Sequence, residues 1–459
     1  MQTAAPRPGE SDTNDTPLRR DWARTLGPNS VAIVAEDARL FLHQSVSSPC
    51  LSAIRRAEGI WIEDADGRRY MDFHGNNAHH IGYGHPRLKA AIARQMDFLP
   101  FAPRRFANEP AIELARKLVS IAPAGLEKVL FTTGGSDAIE VALKIARAAT
   151  GRHKTISFWD SFHGAGFAAS ALGGEQLFRS GPIGPLPTGA EHVAPFTCYR
   201  CPYGHYAAED GPDLQRCGMA CAAYVRYVLE REGDVAAVVA EPARATATAA
   251  PPGYWRAVRE ACDAHGTLLI FDEIPTGLGK TGKMFACEHE GVAPDILVLG
   301  KALGGGILPI AAVVCRADLD VAGAWAFGHY THEKNPGTAR AALTTIEIIE
   351  EEGLVENARR VGEAALNRTR EMQRRHRLIG QVRGRGCLLG IELVSDRDTR
   401  APANAAAEEV MYRAMADGLA FKTTMGNVLS LTPPLTVTEA EMMRALDIIE
   451  TAIGAVERQ

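Results

Sequence analysis

Two hydrophobic patterns alternate between about residues 111 and 316 of the chain. Segments whose apolar residues recur every three or four positions cover 110–121, 136–150, 219–232 and 253–265. Each is followed by a short apolar run, at 129–131, 155–158, 235–240 and 268–271. The first pattern predicts amphipathic helices and the second predicts buried strands. Their alternation predicts a mainly parallel sheet covered by helices on both faces, which binds ligands at the carboxyl ends of its strands.

The flanking regions follow different patterns. Residues 61–73 read as a β-hairpin that turns at Asp66-Gly67. Past residue 338, a helical pattern over 339–351 is followed by a predicted strand over 382–393 and by closing helices. We therefore predict four parts: a flexible N-terminal tail (1–35), an N-terminal segment joining the small domain (36–100), a large cofactor-binding domain (101–335) with a cysteine-rich insertion (196–221), and a C-terminal α+β small domain (336–459).

Composition narrows the classes of partner. The chain has 46% hydrophobic and 23% charged residues and a net charge of -5, which is typical of a soluble globular protein. No basic excess is present to attract nucleic acid. No apolar stretch approaches the roughly 18 residues of a membrane span, and residues 1–20 lack the apolar core of a signal peptide. We expect a cytoplasmic protein that binds neither nucleic acid nor membranes.

Four of the nine cysteines are clustered in a loop rich in glycine and proline: Cys198, Cys201, Cys217 and Cys221. Two close cysteine pairs joined by such a loop are typical of a tetrahedral zinc site with a structural role. The alternative is that these are packed thiols in an insertion. The spacing of the second pair is also ordinary in a helix, so the residues alone leave both interpretations open.

The most informative pair of residues is Lys301 and Asp272. Lys301 follows the apolar run 296–299 and Gly300, and Asp272 ends the run 268–271. A lysine at a strand end, beside glycines that allow close approach to its amine, is placed to form a Schiff base. A nearby buried aspartate can hold a pyridinium nitrogen protonated. Together they indicate pyridoxal 5'-phosphate (PLP) as the cofactor.

Two further segments suit the same cofactor. Residues 132–138 contain Gly135 and Ser136 between a strand and a helix, where backbone N–H groups, the helix dipole and a capping hydroxyl favour phosphate. Phe162 and His163 follow the next strand, where an aromatic ring can stack on a flat heterocycle. The plain alternatives are a loop with a helix cap and a core phenylalanine beside a hydrogen-bonded histidine.

These motifs, in their order along the chain, resemble those of class III fold-type I PLP enzymes: residues 131–140, 162–164, 241–242, 271–282 and 300–301. The resemblance implies an α/β fold with a mainly parallel seven-stranded sheet and a small α+β domain. It implies that Lys301 carries the Schiff base, that Asp272 pairs with the pyridine nitrogen and that Phe162 stacks on the ring. Gly135 and Ser136 would hold the phosphate. His163 and Glu241 belong to matched motifs and join the cofactor-binding candidates.

The resemblance also implies a homodimer, because Thr331 matches a threonine that reaches the phosphate from the neighbouring subunit. Two departures from the aminotransferase pattern stand out. Ser430 occupies the place of an arginine that binds carboxylates, which puts the oxo-acid half of a transamination in doubt. Residues 332–334 replace glycines with long polar side chains, which would bind a second anion or form an ion network between subunits.

A narrower resemblance, over residues 36–45, 71–77, 158–165 and 328–336, is to ammonia-lyases of (R)-1-hydroxy-2-aminoethylphosphonate. It implies that Lys301 moves a proton while the hydroxyl group is lost, giving phosphonoacetaldehyde and ammonia. Tyr330 is a further candidate proton donor. The candidate substrate residues are His74, Asn76, Arg104, Arg105, Arg244, His332 and Lys334. The alternatives are a class III aminotransferase acting on a primary amine or ω-amino acid and a protein of this fold without such chemistry.

Overall fold

The computed structural model describes residues 15–45, 47–206 and 212–459. The helices of this part are α1 (Pro17–Ala23), α2 (Pro28–Leu40), α3 (Pro86–Phe98), α4 (Glu109–Ile121), α5 (Gly135–Thr150), α6 (Phe167–Leu172), α7 (Gln176–Arg179), α8 (Leu214–Cys217), α9 (Ala220–Glu232), α10 (Tyr254–His265), α11 (Pro336–Glu351), α12 (Leu354–Arg375), α13 (Asn404–Ala416) and α14 (Glu439–Glu457). Among these described residues, no helix is both long and apolar enough to cross a membrane.

The strands are β1 (Ile54–Glu58), β2 (Trp61–Asp64), β3 (Arg69–Asp72), β4 (Lys128–Thr132), β5 (Lys154–Phe158), β6 (Ala190–Val193), β7 (Val235–Ala240), β8 (Ala243–Arg244), β9 (Thr248–Ala249), β10 (Leu268–Asp272), β11 (Ile296–Leu299), β12 (Ala311–Cys315), β13 (Ile379–Arg385), β14 (Leu388–Asp396), β15 (Ala401–Pro402), β16 (Leu419–Ala420), β17 (Lys422–Thr424) and β18 (Val428–Leu431). The helices and strands expected between residues 110 and 271 are present, with bounds that differ by at most one residue at each end.

The central sheet has seven strands in the order β4-β12-β11-β10-β7-β5-β6. Strand β12 runs antiparallel to both of its neighbours, and the other pairings are parallel. Strand β7 and strands β10 to β12 are buried along their whole length, which explains their continuous apolar sequences. The predicted fold class, a mainly parallel seven-stranded α/β sheet, is confirmed.

Helices cover both faces of this sheet. Ile270 and Val298 pack in one buried cluster with the apolar side of α5. Phe271 and Leu297, their immediate neighbours, point to the other face and pack in the cluster that includes Trp255 of α10. Successive strand residues alternate between faces, so both sides of each central strand need a helical cover. The carboxyl ends of the strands are left at one edge of this three-layer arrangement.

The N-terminal and C-terminal parts of the chain meet in a second sheet. Its order is β1-β2-β3-β16, and β16 pairs in parallel with β3 through Leu419 and Met71. A third sheet has the order β13-β14-β18-β17. The division into four parts stays a prediction. The pairing of β3 with β16 is nevertheless the kind of contact expected if the N-terminal segment joins the C-terminal domain.

Two regions differ from the sequence expectation. The strand predicted over 382–393 is two antiparallel strands, β13 and β14, because the chain reverses at Gly386, whose φ of +57° suits glycine. Of the predicted tail, residues 1–14 lie outside the described residues, whereas residues 15–35 include α1 and part of α2. Helix α1 begins at Pro17 with Thr16 as its cap, and Trp22 is buried against Tyr412.

Candidate active site

Asp272 and His163 form a buried pair at the carboxyl edge of the central sheet. Asp272 is the last residue of β10, and its side chain is 2% exposed, while that of His163 is fully buried. Their Oδ2 and Nδ1 atoms are 2.8 Å apart, and the other carboxylate oxygen of Asp272 accepts a hydrogen bond from the backbone N–H of Ile274. The two hydrogen bonds therefore hold the carboxylate in one orientation.

Lys301 lies at the same edge, on the neighbouring strand connection. Strands β10 and β11 are parallel, and Asp272 is paired with Val298. Lys301 is the third residue after Val298 along the chain. Lys301 opens a short 3₁₀ turn and has a φ of +45°, a left-handed conformation that is uncommon for a side-chain-bearing residue. Its side chain is half-buried. Parallel pairing thus brings together the two residues expected to carry the chemistry.

The predicted phosphate loop precedes α5 on the same edge. Helix α5 has sixteen residues, its cap is Gly134, and no side chain caps its first N–H groups. At Gly135 an added Cβ would lie 2.8 Å from the side chain of Ile274, so the loop comes close to the residues following Asp272. A long helix with uncapped N–H groups is a favourable place for an anion.

Ser136 differs from the expectation that its hydroxyl caps the helix. Because α5 begins one residue earlier, Ser136 lies inside the first turn. Its Oγ accepts a hydrogen bond of 3.0 Å from the N–H of Ala165. Gly164 between them has a φ of +129°, and any side chain there would meet Ser136. Ser136 thus joins the α5 loop to the segment that carries Phe162 and His163.

Phe162 and Glu241 also lie after strands of the central sheet. Phe162 is half-buried, and its ring centroid is 4.6 Å from that of Phe178. Glu241 follows β7 and is buried, and its Oε2 accepts a hydrogen bond from the N–H of Ala245. This bond bends the chain into the β8–β9 hairpin. The cofactor-binding roles of both residues remain predictions.

Arg244 lies on that hairpin and is buried, with 3% of its surface exposed. Its Nε and Nη2 atoms have no hydrogen-bond partner among the described residues. Together with Asp160, Thr246 and Asn427 it lines a cavity of about 1010 Å³. A buried guanidinium with unpaired N–H groups is costly unless an anion satisfies it, so this residue suits a ligand. Of the arginines proposed to bind the substrate, Arg244 is the one whose surroundings most resemble an anion-binding site.

His74 lies beside Lys301 under the N-terminal hairpin. Its N–H and that of Gly75 both donate to Oδ1 of buried Asp72. Its Nδ1 accepts a hydrogen bond from the N–H of Asn76, whereas the Asn76 side chain is exposed. Burial, and then the positive charge of Lys422, lower the pKa of His74 to about 3, and Lys301 adds to the effect. His74 is therefore neutral at neutral pH.

Lys422 was not among the residues singled out from the sequence. It lies on β17 directly opposite Ser430 on β18, in an antiparallel pair, so the two side chains share a face of the sheet. Ser430 is buried, with 2% of its surface exposed. The hairpin signal was available: Met425-Gly426-Asn427 joins the strands, and a turn centred there pairs residue 422 with residue 430.

The remaining candidates form a separate group on the surface. Arg104 is 3.7 Å from the carboxylate of Glu333, and its Nη2 atom is 3.0 Å from the ring of His329. His332 packs against Phe101, and the backbone oxygen of Lys334 accepts a hydrogen bond from the side chain of Asn108. Thr331, His332, Lys334 and Arg105 are exposed. The Arg104–Glu333 pair lies within one chain, so both interpretations of residues 332–334, a second anion site and an ion network between subunits, stay predictions.

The expected zinc site is not supported. Cys198, Cys201, Cys217 and Cys221 do line one small cavity. However, in the described ranges no group of three or more His, Cys, Asp or Glu side chains is arranged to hold a metal ion. Burial raises the pKa of Cys198 to about 11 and that of Cys221 to about 12. The alternative interpretation, packed thiols in an insertion, fits this environment.

Known proteins share this arrangement of elements. The chain is 42% identical over 459 residues to (R)-1-hydroxy-2-aminoethylphosphonate ammonia-lyase of Vibrio splendidus (strain 12B01), covering 97% of this chain and 95% of that protein. It is 37% identical to leucine/methionine racemase of Thermococcus litoralis, with 93% and 96% covered. An amine transaminase from an uncultivated Pseudomonas species, solved in its PLP-bound form, superposes with a TM-score of 0.84 at 32% identity, with 91% and 99% covered.

The site has the groups that PLP requires. Lys301 provides a half-buried amine, and Asp272 provides a buried carboxylate beside it in the sheet. The first N–H groups of α5 are free of side-chain caps and face an anion without competition. The buried Nε2 atom of His163 has no partner, which leaves it available beside Asp272. The donor set therefore fits a cofactor with a phosphate, a carbonyl and a ring nitrogen.

The family follows from the extent of these likenesses. The sequence model of the family described as "Aminotransferase class-III" matches residues 43–453, which is most of the chain. The two relatives and the solved structure also match most of the chain, over 97%, 93% and 91% of it. The chain belongs to the class III aminotransferase family of PLP enzymes.

Proposed function

We propose that the protein is a PLP-dependent ammonia-lyase that converts (R)-1-hydroxy-2-aminoethylphosphonate into phosphonoacetaldehyde and ammonia. The observation that carries the proposal is Ser430. It is buried at the strand position where the aminotransferase pattern has an arginine, and its neutral hydroxyl cannot form the paired, charge-assisted bonds that an oxo acid's carboxylate requires. The relative of Vibrio splendidus, named for this activity, adds support across nearly the whole chain.

The reaction needs no acceptor oxo acid. A proton leaves the carbon that bears the amine, and the C–O bond of the neighbouring carbon breaks, so that water is lost. One water molecule is then consumed when the nitrogen is released as ammonia, and the products together contain the same atoms as the substrate. When bound, PLP supplies an electron sink for the electron pair left by the departing proton.

Lys301 is the proposed base that removes this proton. Its amine lies at the strand edge, and its backbone is fixed in the left-handed conformation of a short turn. Asp272 keeps a negative charge next to the position of the ring nitrogen, and His163 orients the carboxylate from 2.8 Å away. These three groups are held by buried strands, so little reorganisation is needed before proton transfer.

His74 is the proposed hydrogen-bond donor to the departing hydroxyl group. Because its Nδ1 accepts a hydrogen bond from Asn76, the proton of the neutral ring lies on Nε2. The positive charges of Lys422 and Lys301 keep the ring neutral, as the lowered pKa of His74 indicates. Tyr330 and His332 are the other candidates: Tyr330 is partly buried against the core cluster that includes α5, and His332 is exposed on this chain.

The proposal also includes the substrate's anionic group and the assembly. Arg244, buried with two unpaired N–H positions, is the arginine of the predicted set that would contact the phosphonate. Thr331 is exposed on this chain and would reach the cofactor phosphate of a second copy in a homodimer. We propose a cytoplasmic location for this homodimer.

A second function, transamination of a primary amine, is favoured by the likeness to the PLP-bound amine transaminase. The two functions differ in what happens to the cofactor. A transaminase converts its cofactor stoichiometrically to the amine form when given an amine alone, and it needs an oxo acid to turn over. A lyase releases ammonia repeatedly without an oxo acid.

The test is incubation of the purified PLP-loaded protein with 1-hydroxy-2-aminoethylphosphonate, ethanolamine phosphate or 2-aminoethylphosphonate in the absence of oxo acid. Ammonia release and the cofactor absorbance are followed together. We expect multiple turnovers of ammonia with the hydroxylated phosphonate and none with 2-aminoethylphosphonate, which lacks the leaving group. Stoichiometric amine-form cofactor and turnover that depends on pyruvate or 2-oxoglutarate would establish the transaminase instead.

A further inference from the structure

The hairpin formed by β17 and β18 presents a lysine and a serine side by side. Lys422 is paired with Ser430 in an antiparallel register, and directly opposed residues of such a pair project from the same face. Ser430 is in turn paired with Gly390 of β14, so Gly390 belongs to that face as well. A Cβ added at Gly390 would lie 3.1 Å from the side chain of Ala247. This face is therefore covered by the hairpin that carries Arg244.

Backbone hydrogen bonds fix His74 next to the same hairpin. The N–H of Phe73 donates to the backbone oxygen of Ala420, two residues before Lys422. The backbone oxygens of Phe73 and His74 accept hydrogen bonds from Thr432, two residues after Ser430. These hydrogen bonds hold the backbone of Phe73 and His74 between Ala420, which precedes β17, and Thr432, which follows β18.

The turn that begins at Lys301 lies close to the segment that follows His74, because a Cβ added at Gly306 would be 3.1 Å from the backbone oxygen of Ala78. The negative group near His74 is Asp72, whose carboxylate accepts hydrogen bonds from Tyr83 and from two backbone N–H groups. After burial, the positive charge of Lys422 lowers the pKa of His74, in keeping with a position of Lys422 on the side of His74 formed by the hairpin. Lys422 is thus a cation beside His74 that the sequence did not reveal.

We propose that Lys422, with Ser430 opposite it, forms the subsite that holds the phosphonate group of the substrate. The proposal rests on the proposed function, because it assigns one end of that substrate. The amine end of the substrate has to reach Lys301, and the carbon carrying the hydroxyl has to reach His74. The anionic group then extends toward the β17–β18 face, where an ammonium with three N–H donors and a hydroxyl suit three phosphonate oxygens.

The subsite favours a doubly charged group over a carboxylate. A dianion gains about twice the Coulomb attraction of a monoanion at the same distance from Lys422. A lysine ammonium also lacks the planar fork with which an arginine pairs both oxygens of a carboxylate. Lys422 is in this sense a specificity residue.

The experiment is isothermal titration of methylphosphonate and of acetate into the purified PLP-loaded protein, in the wild type and in Lys422→Met, Lys422→Arg and Lys128→Met. Lys128 is a surface lysine 3.3 Å from Asp320 and serves as the matched control. We expect the wild type to bind methylphosphonate more tightly than acetate. Lys422→Met should weaken methylphosphonate binding about tenfold or more, because a charge-assisted hydrogen bond is lost. Lys422→Arg should retain most of it.

Steady-state kinetics supply the second measurement. Lys422→Met should raise KM for the aminophosphonate by about the same tenfold factor while kcat changes less. Equal methylphosphonate binding by the wild type and Lys422→Met, or no binding by the wild type, would overturn the subsite. A variant that retains the cofactor absorbance and the wild-type Tm is taken as correctly folded. If Lys422→Met fails this check, the wild type is compared with Lys422→Arg instead.

Failure of the proposed function is distinguishable from failure of the subsite. If the wild type releases no ammonia but binds methylphosphonate in a Lys422-dependent way, the anion subsite stands and the reaction assignment falls. If ammonia is released and KM is unchanged in Lys422→Met, the reaction stands and the phosphonate is held elsewhere.

Discussion

The two walls of the active site are built in different ways. The cofactor wall, defined by Asp272, His163, Lys301 and the start of α5, consists of residues that end parallel strands or begin the helices after them. The substrate wall, defined by His74, Lys422 and Ser430, is assembled from a hairpin near the N-terminus and one near the C-terminus. The cofactor wall requires only that parallel strands share an edge. The substrate wall requires that distant segments pair.

This difference has a chemical consequence. The cofactor wall holds a negative carboxylate and an amine, which suit the common chemistry of a PLP enzyme. The substrate wall holds a neutral histidine, a lysine and a serine, which we propose decide the anion that is accepted and the group that leaves. Enzymes on one scaffold can therefore share the first wall and differ in the second. The predictions below test this division, from the largest expected effect to the smallest.

Replacing Lys301 by alanine should remove nearly all activity. The variant loses both the amine that binds the cofactor and the base that moves the proton, and a loss of about 10⁴-fold in kcat is expected from the size of general-base effects. The measurement is ammonia release together with the Schiff-base absorbance, which should be absent. Lys128→Ala is the control and should keep both signals. Retention of more than a tenth of the wild-type rate by Lys301→Ala would contradict the role.

Replacing Asp272 by asparagine should reduce kcat about 100-fold. The amide keeps the shape of the side chain but removes the buried negative charge, and the loss of one partner of a buried charged pair costs about 2–5 kcal/mol. His163→Phe should reduce kcat about tenfold, because it removes only the hydrogen bond that orients Asp272. Equal losses in the two variants would show that His163 does more than orient the carboxylate.

The pH dependence of ammonia release should show no contribution from His74 near its ordinary pKa. Burial and the charges of Lys422 and Lys301 lower the pKa of His74 to about 3, whereas an ordinary histidine titrates near 6.5. The ring therefore stays neutral from about pH 5 to about pH 9. The rate would fall through His74 protonation only as the pH approaches about 3.

The comparison uses kcat/KM profiles of the wild type and His74→Asn. We expect the variant to lower the profile about tenfold, in the range of one lost catalytic hydrogen bond, without moving its acid limb. An acid limb near 6.5 that disappears in His74→Asn would mean that His74 titrates in the working range. That result would mean that the positive charge of Lys422 affects His74 less than the structure indicates.

The cofactor wall was predictable because local signals and chain order were enough. Apolar runs ending in Asp272 and Lys301 predicted two strands of one sheet, and parallel strands place their carboxyl ends together. The seven-stranded sheet and its helical cover follow from the same alternation. The role of Ser136 was harder to predict, because helix α5 begins one residue earlier than expected. Ser136 therefore lies inside the first turn, and its hydroxyl accepts a hydrogen bond from the N–H of Ala165 instead of capping the helix.

The sequence by itself determined the sheet, the family and the placing of Lys301 and Asp272 at one edge of the sheet, since each depends on short-range periodicity and on motifs in a fixed order. Only the tertiary structure decided that Lys422 lies opposite Ser430, that His74 is neutral and that Arg104 lies in a surface group with Glu333. Strand register and burial bring together residues more than 300 positions apart, as Thr432 and His74 are, and they set the electrostatic environment of each group. Chemistry that depends on neighbours from distant segments therefore becomes readable only in the folded chain.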